Sequence, residues 1–570
     1  MTKAAPAHPR EKPHHPHWPL AVVVFALAFG AGLSARGTPA GWLAVATGRL
    51  VSRLGAAPRV DPFSFGSAGA PWTTDSWSAD AAFAKADALG GAALARDLAA
   101  GAAALGFALL LPIGHGDPLA VAGLLGAAAL CAREGMTPAP AAFDFLFFAL
   151  FLRLLRPRRR FRLIDAAAAA ALTALWANVH GASAALALAF VFLKAFKASM
   201  RSAAREALGY WAMFAACALA FSWNPLGYGL LAHLFSDAAP GALGAAPALW
   251  SPAGGAIALG LAACAYTLQQ EFVLTLSCAT VLALSLALPG LRPLAALAAV
   301  PAAALALGHF RRPREVSAFS FSAAAAVAAL ILAALSRRVP PPASGGYGEP
   351  TLVGAARFLD AERVGGQMFN APEFGAQLIG LSGRRVFVDA RPGVYPETFL
   401  DEARDWPRSF PALDAVYRFD YAVVPNPRAA GPARALDAPA AWRLAYADDD
   451  ALVYLKAAGA DAAAASRAPF RVVDPGRGGL PSLDAALSSA PQETLDELDA
   501  WTALAPDCVQ AWLWKAYALG RLGRGDESDR ALARARALPR LARDPGLSAL
   551  AEEVLRSRER PAAAREAKTL

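Results

Sequence analysis

A polytopic α-helical membrane domain, followed by a small α/β domain and an α-helical tail, is the architecture this chain predicts. Three observations carry it. Of 570 residues, 56% are hydrophobic and only 17% charged, with mean hydropathy +0.36, whereas a soluble chain carries roughly 25% charged residues. Apolar runs approaching the roughly 20 residues that span a bilayer recur along the first 336 residues. From residue 350 the pattern changes to short β-branched and aromatic runs, and then to helical period.

The runs lie near 18–34, 97–113, 119–132, 141–155, 163–178, 182–198, 207–223, 254–269, 272–289, 291–308 and 318–336, about eleven spans. The formal net charge of +9 does not mark a nucleic-acid binder. Its Lys and Arg fall in short clusters between apolar runs: Arg156–Arg162, then Lys194, Lys197, Arg201 and Arg205, then Arg311, Arg312 and Arg314. Counted from a cytoplasmic N-terminus, all three clusters land on the cytoplasmic side, as the positive-inside rule requires. That orientation puts loop 35–96, the turn after Trp176, and everything beyond about 337 outside. The tail 1–17 holds four of the eight histidines among prolines and reads as a cytoplasmic disordered segment. Its Lys3, Arg10 and Lys12 precede an apolar core as in a signal peptide, but no small-residue cleavage site follows, so the first run is expected to stay as an uncleaved helix.

In loop 35–96 the spacing predicts two helices. Trp42, Val45, Ala46, Arg49, Leu50 and Arg53 divide into an apolar and a basic side, which suits a helix on the membrane surface. The second starts at Thr73-Thr74-Asp75 and carries Trp77, Ala81 and Phe83. Residues 337–349 read as a linker, 350–456 as the α/β domain and 457–480 as a second linker. In the α/β domain TLVGAARFLDAE reads as a helix, and QMFNA, RRVFVDA, YAVVP and ALVYLK as strands. Residues 481–560 are helical by period, with one tetratricopeptide-like helix pair. The five cysteines form no disulfide framework and read as buried, inert thiols.

Several separate motifs carry a resemblance. TGRLVSRLGAAPRVDPFSFGSAGAPW (Thr47–Trp72) looks like the first periplasmic loop of bacterial multi-spanning GT-C glycosyltransferase-like proteins. LWANVHG (Leu175–Gly181) and WNPLG (Trp223–Gly227) are similar to later outer turns of the same proteins, and FNAPEFGAQLIGLSGRRVFVDARPGVY resembles the soluble domain that some of them carry. The likeness covers most of 18–456, in order. It implies a GT-C-like fold, a bacterial inner-membrane location with periplasmic C-terminal domains, and a polyprenyl-phosphate sugar donor held at the outer face. A divalent metal is a candidate cofactor.

The chemistry so implied needs a base for the acceptor's proton and stabilisation of a phosphate leaving group. Asp61 and Asp75 are the candidate catalytic carboxylates. Each has a structural alternative: Asp61-Pro62 starts a turn, and Asp75 can cap a helix. Asp80 is expected as a solvated helix position. Arg96, Arg133, Asn178 and His180 are the candidate substrate contacts, against snorkelling anchors and helix caps as alternatives. Asp389 and Arg391 read as a structural pair, and Asp448, Asp449 and Asp450 as a hairpin turn, because calcium-loop spacing is lacking.

The chain departs from the family pattern where relatives carry an acid just ahead of the first loop helix, at or near Ala40 here. It departs again at Ala44 for a histidine, at Leu249 for a Glu before Trp250, and at Thr137 for an arginine before Pro138. Two functions therefore stay open. One is glycosyl transfer to an extracytoplasmic acceptor. The other is an inactive membrane scaffold whose tetratricopeptide-like tail binds an envelope protein.

Overall fold

The computed structural model describes residues 18–559 apart from 112–116, 157–160, 201–203, 233–246, 249, 309–346, 348–350, 390, 392–393, 428–435, 437–440, 460 and 478. The N-terminal tail, the expected span 318–336, most of linker 337–349, and the basic residues Arg158, Arg159, Arg160, Arg201, Arg311, Arg312 and Arg314 lie outside the described residues. The chain divides into two compact units. The first comprises 1–58 and 73–349, the second 59–72 and 350–570.

Eleven helices build the first unit among the described residues: α1 (Trp18–Leu33), α2 (Ala40–Leu54), α3 (Trp77–Leu110), α4 (Pro118–Ala132), α5 (Asp144–Leu154), α6 (Leu163–Val179), α7 (Gly181–Met200), α8 (Ala204–Phe221), α9 (Pro252–Thr267), α10 (Phe272–Ala287) and α11 (Arg292–Gly308). The first ten expected runs fall on α1 and α3–α11. Four described stretches are long and apolar enough to cross a membrane, Trp77–Leu110, Pro118–Gly135, Gly181–Met200 and Pro289–Gly308. α1, α6, α9 and α10 are apolar but shorter.

α3 joins two expected elements, the second loop helix and the second span. Its axis breaks at Gly90 and Gly91, where Gly91 takes φ +67°, a conformation an L side chain resists. Beyond the break, Ala99, Ala100, Ala103 and Ala104 are fully buried, so α3 meets α1 and α5 along a seam of small side chains. Larger rings fill the space beside it: Phe107 stacks on Phe145, and Phe147 on Trp176. α2 lies against the first half of α3. There Gly48 is required, since a Cβ on it would stand 1.9 Å from the Asp80 carbonyl oxygen.

The second unit holds α12 (Val353–Ala361), β1 (Met368–Asn370), α13 (Gly375–Ser382), α14 (Glu397–Arg404), α15 (Trp406–Tyr417), β2 (Tyr421–Pro425), β3 (Trp442–Ala447), β4 (Ala451–Lys456), α16 (Ala462–Ser466), α17 (Gly479–Ser489), α18 (Pro491–Leu504), α19 (Val509–Arg521), α20 (Gly525–Ala537) and α21 (Pro545–Glu559). The sheet runs β1-β2-β4-β3, with β1 parallel to β2 and the other pairs antiparallel. The helices between β1 and β2 supply the crossover that a parallel pair demands.

One expected strand is corrected. RRVFVDA makes a single bridge, Val386 with Ser64, instead of joining the sheet. Phe65 N–H donates to Val386 O at 3.0 Å and Val386 N–H to Phe63 O at 2.9 Å. Asn370 Oδ1 accepts the Phe387 N–H at 2.8 Å. Backbone groups of Val386, Phe387 and Val388 thus find their partners in loop 59–72 and one buried amide. β3 was absent from the expected elements, and a bulge at Leu444/Tyr446 interrupts its ladder.

Residues 457–480 do not form a featureless linker. Glu497 on α18 accepts the N–H groups of Arg471, Val472 and Val473 at 2.8–3.1 Å. The expected hairpin turn lies between β3 and β4, with Asp448 Oδ1 accepting the Asp450 and Ala451 N–H groups. It also anchors the helical tail. Asp449 accepts the Val509 and Gln510 N–H groups at the start of α19, and Asp450 pairs with Arg540. Four of the cysteines are buried as expected, but Cys131 is exposed, on the outward face of α4.

Replacing Gly48 by Val is expected to lower the unfolding midpoint in detergent by the equivalent of about 1–3 kcal/mol through overpacking. Gly123→Ala, with nothing within 4 Å of the added carbon, is expected to leave the midpoint unchanged or slightly raised. A second expectation concerns Asp448. Loss of water around its carboxyl pushes its pKa up to about 6 from 3.8, aided by Asp450 and opposed by the N–H groups of Asp450 and Ala451. The folded chain therefore binds this proton more tightly than the unfolded chain, so stability from this group falls as pH rises from about 4 to about 6. Asp448→Asn should gain on the wild type over that range by at most about 3 kcal/mol, screened by partial exposure. Equal differences in melting midpoint at pH 4 and pH 7.5 would remove the assignment.

Candidate functional site

In the first unit, polar side chains converge where loop 73–76 and α3 meet the α6–α7 turn and the start of α5. Asp144 opens α5 and is only 2% exposed. Its Oδ1 accepts the Trp176 Nε1–H at 2.8 Å, and its Oδ2 accepts the Ser183 hydroxyl at 2.8 Å. His180 Nδ1 lies 2.8 Å from the same Oδ2. A buried carboxylate needs such partners, because desolvating an unpaired charge is prohibitive.

The Trp176–Gly181 turn is held from the other side by the first loop. Trp77 Nε1–H donates to Asn178 Oδ1 at 2.7 Å, and the Ser78 hydroxyl donates to the Asn178 carbonyl at 2.7 Å. The Asn178 amide donates in turn to the carbonyls of Ala174 and Trp223, each at 2.8 Å. Asp75 does not cap α3. Its carboxylate accepts the Ala182 N–H at 3.0 Å and its carbonyl accepts the Gly181 N–H at 3.2 Å, so it caps the N-terminus of α7. A negative group there also meets the positive end of the helix dipole.

Asp80, expected as a solvated position, is buried at 3% exposure. Thr74 Oγ1–H donates to its Oδ2 at 2.8 Å and Ser76 Oγ–H at 3.3 Å. Asp75, Asn178 and His180 are therefore brought into one polar cluster, joined by Asp80 and Asp144. Asp144 was not singled out beforehand, although a lone acid in AAFDFLFFALF is the signal that could have found it.

The remaining candidates lie elsewhere. Arg96 donates to Asp97 at 3.2 Å, and Arg133 to Glu134 at 3.2 Å. Ala40 begins α2, and Ala44 is buried on it. Thr137 is buried and donates to the Glu134 carbonyl. Leu249 is outside the described residues. Among the described residues, no group of three or more His, Cys, Asp and Glu could hold a metal ion.

Asp61 belongs to the second unit with the rest of loop 59–72. Its Oδ1 accepts the Phe63 N–H at 2.9 Å, the local bond of an Asp-Pro turn, and its Oδ2 accepts the Ser64 hydroxyl. Oδ1 also pairs with Arg391 Nη2 at 2.8 Å. Arg391, 3% exposed, forks onto Asp389 through Nε and Nη2 at 2.8–3.0 Å, and its guanidinium lies 4.6 Å from the Trp72 ring centre and 5.2 Å from that of Phe63. Burial works against the Arg391 charge, but Asp389 and Asp61 outweigh it and raise its pKa. Burial and the Asp389 carboxylate likewise raise the pKa of Tyr395, whose hydroxyl donates to Asp389 at 3.1 Å. A guanidinium gripped by two carboxylates and two rings fastens loop 59–72 to its unit. It leaves little for Asp61 to offer a substrate.

No protein-family pattern and no curated protein matches the chain. Among solved structures it is similar to the oligosaccharyltransferase of Archaeoglobus fulgidus in the apo form, at 13% identity over 73% of this chain and 70% of that one, with a TM-score of 0.42. It is also similar to the archaeal oligosaccharyltransferase AglB from the same organism, in complex with an inhibitory peptide and a dolichol-phosphate, at 12% identity over 72% and 69% and a TM-score of 0.40.

Removing one member of the Arg391 clamp leaves the others buried and unpaired. Arg391→Met is expected to destabilise the second unit by about 3–5 kcal/mol. In a double-mutant cycle with Asp61→Asn, the two losses should fall short of additivity by about 1–3 kcal/mol. Additive losses in chemical denaturation would show that the pair does not fasten the loop.

Proposed function

We propose that the protein is a GT-C-like glycosyltransferase of the bacterial inner membrane. It takes a sugar from a polyprenyl-phosphate carrier and places it on an extracytoplasmic lipid, glycan or protein. The observation that carries this reading is the polar cluster of Asp75, Asp80, Asp144, Asn178 and His180. It is assembled from loop 73–76, the start of α3, the start of α5 and the WANVHG turn, the last of which is a motif that resembles that class. Ionisable groups gathered at the ends of apolar helices are expensive and mark function by default.

In this reading about eleven spans set the cluster at the outer face, with both the α/β domain and the tail periplasmic. The acceptor reaches the cluster from water and the carrier from the bilayer. Asp75 organises the start of α7, and Asn178 and His180 face the substrates. Arg96 and Arg133 serve as phosphate contacts when the carrier is bound. Asp61 acts as an anchor for its loop through Arg391.

A second reading is favoured by a specific observation: no acid stands at Ala40, and the carboxylates of Asp61 and Asp75 are each engaged by protein donors. The membrane unit would then be an inactive relative, and the tetratricopeptide-like tail, fixed to the β3–β4 turn through Asp449 and Asp450, would bind an envelope protein.

Full-length protein in lipid vesicles, given synthetic polyprenyl-phosphate hexoses and an envelope extract, is expected to release polyprenyl phosphate and label an acceptor. Asp75→Asn should lower that rate at least tenfold by loosening the α7 terminus. No release from any donor, together with capture of one envelope protein by the full chain but not by a chain lacking 481–560, would decide for the second reading.

A further inference from the structure

We propose that the space between Trp42 and Asp87, filled here by Tyr347, is a binding pocket for a hydroxyl-bearing ring. Tyr347 is its removable plug, and the ring that displaces it is a sugar. The sugar class rests on the transfer reading above, whereas the plug stands on the geometry of α2 and α3 alone.

Tyr347 lies in the stretch 337–349 that reads from sequence as a linker. Yet it is only 2% exposed. Its ring meets that of Trp42 edge-on, with centroids 5.1 Å apart. It shares one apolar cluster with Ala44 and Val45 of α2 and with Ala79, Phe83 and Ala86 of α3. The phenol donates to Asp87 Oδ1 at 2.8 Å, and Arg49 Nη2 holds Oδ2 of the same carboxylate at 2.7 Å. Burial and the Asp87 carboxylate raise the pKa of the phenol against the pull of Arg49, so it keeps the proton it donates.

Three features make the ring an occupant of this space instead of part of its wall. Room for it comes from small residues: Ala44, Ala79 and Ala86 line the cluster, and a Cβ on Gly41 would stand 2.9 Å from Tyr347 Cδ1. The ring also leaves a bond unmade. Trp42 Nε1–H is buried and finds no acceptor among the described residues, and folded chains seldom leave such a donor unanswered. Finally, Gly345, Gly346 and Gly348 flank Tyr347 in sequence. Glycines bring no side chain that could fasten the segment, so leaving the pocket costs only the contacts of the one ring.

An aromatic wall with a few convergent polar groups is how small-molecule pockets are built. A sugar ring matches this set better than the phenol does. One hydroxyl takes over the donation to Asp87, a charge-assisted bond backed by Arg49. The ring oxygen or a second hydroxyl accepts from Trp42 Nε1–H, which the carbon edge of a phenol cannot do. The apolar C–H face of the sugar lies on the indole. Val179, between Asn178 and His180 in the chain, packs against the same cluster. The pocket therefore adjoins the WANVHG turn.

The test uses full-length protein in a non-glycosidic detergent and a diazirine-bearing alkyl glucoside, with photo-adducts mapped by mass spectrometry. A second probe carries the same diazirine and alkyl chain on a tetraethylene glycol head without a sugar ring. The wild type is expected to give few adducts on α2. Tyr347→Phe keeps the packing and loses only the bond to Asp87, so it should raise glucoside adducts about tenfold. Tyr347→Ala should raise them further, and excess free glucose should abolish them. Adding Asp87→Ala to either variant should lower them about tenfold, by removal of the hydroxyl's acceptor. No rise in either Tyr347 variant would overturn the plug, and Tyr347→Phe decides alone if Tyr347→Ala does not fold. An equal rise with the ringless probe, or adducts that glucose leaves in place, would overturn the sugar pocket. Adducts that rise as expected in a chain that releases no polyprenyl phosphate keep the pocket and sink the transfer reading. Release of polyprenyl phosphate without a rise in adducts sinks the pocket and leaves the transfer reading standing.

Discussion

An acidic side chain shut inside an apolar bundle survives only if its charge is answered, and Asp144 is such a residue. Three donors from α6, the α6–α7 turn and α7 reach it at 2.8 Å. The requirement propagates outward. Trp176 must lie in its buried pocket against Phe147 and Phe151 for its indole N–H to reach the carboxylate. His180 must end α6 where it does, and α7 must restart at once so that Ser183 falls in range. Asn178, fixed by Trp77 and Ser78, then ties this turn to the first loop. Much of the local arrangement follows from the cost of one desolvated charge.

The second unit answers the same problem with different chemistry. Arg391 is as deeply buried, and it is compensated by Asp389 and Asp61 and lies against the rings of Trp72 and Phe63. The consequence is topological. A short stretch of the first loop belongs to a unit whose other residues begin at 350, and Phe65 joins the ring cluster of Phe387 and Phe419 there. The β3–β4 turn repeats the device on a smaller scale, with Asp449 capping α19 and Asp450 holding Arg540.

Much of the helical framework was legible along the chain, because an apolar run is a local property and α1 and α3–α11 follow such runs, although only four described stretches are long and apolar enough to cross a membrane. α2 was legible from its two-sided pattern, and α12, β1, β2 and β4 from theirs. The apparent strand RRVFVDA was misleading for a physical reason. β-branched and aromatic residues report a buried extended segment, and this one is buried, but its hydrogen bonds go to residues 63–65 and to Asn370. Asp75 was legible as a cap, yet its helix is α7 and not the one that follows it.

Composition, run length and charge placement by themselves determined that the chain is built of apolar helices, a small sheet and a helical tail, since each is set by neighbours in sequence. The polar composition of the first loop singled out its acids, and the family resemblance the WANVHG turn. Only the tertiary structure decided which acid answers to which partner. Asp61 joins Arg391 across more than three hundred residues, Asp80 turns inward, and Asp144 meets His180. Burial and charge compensation depend on what arrives from distant segments, and that information is not carried by any local pattern.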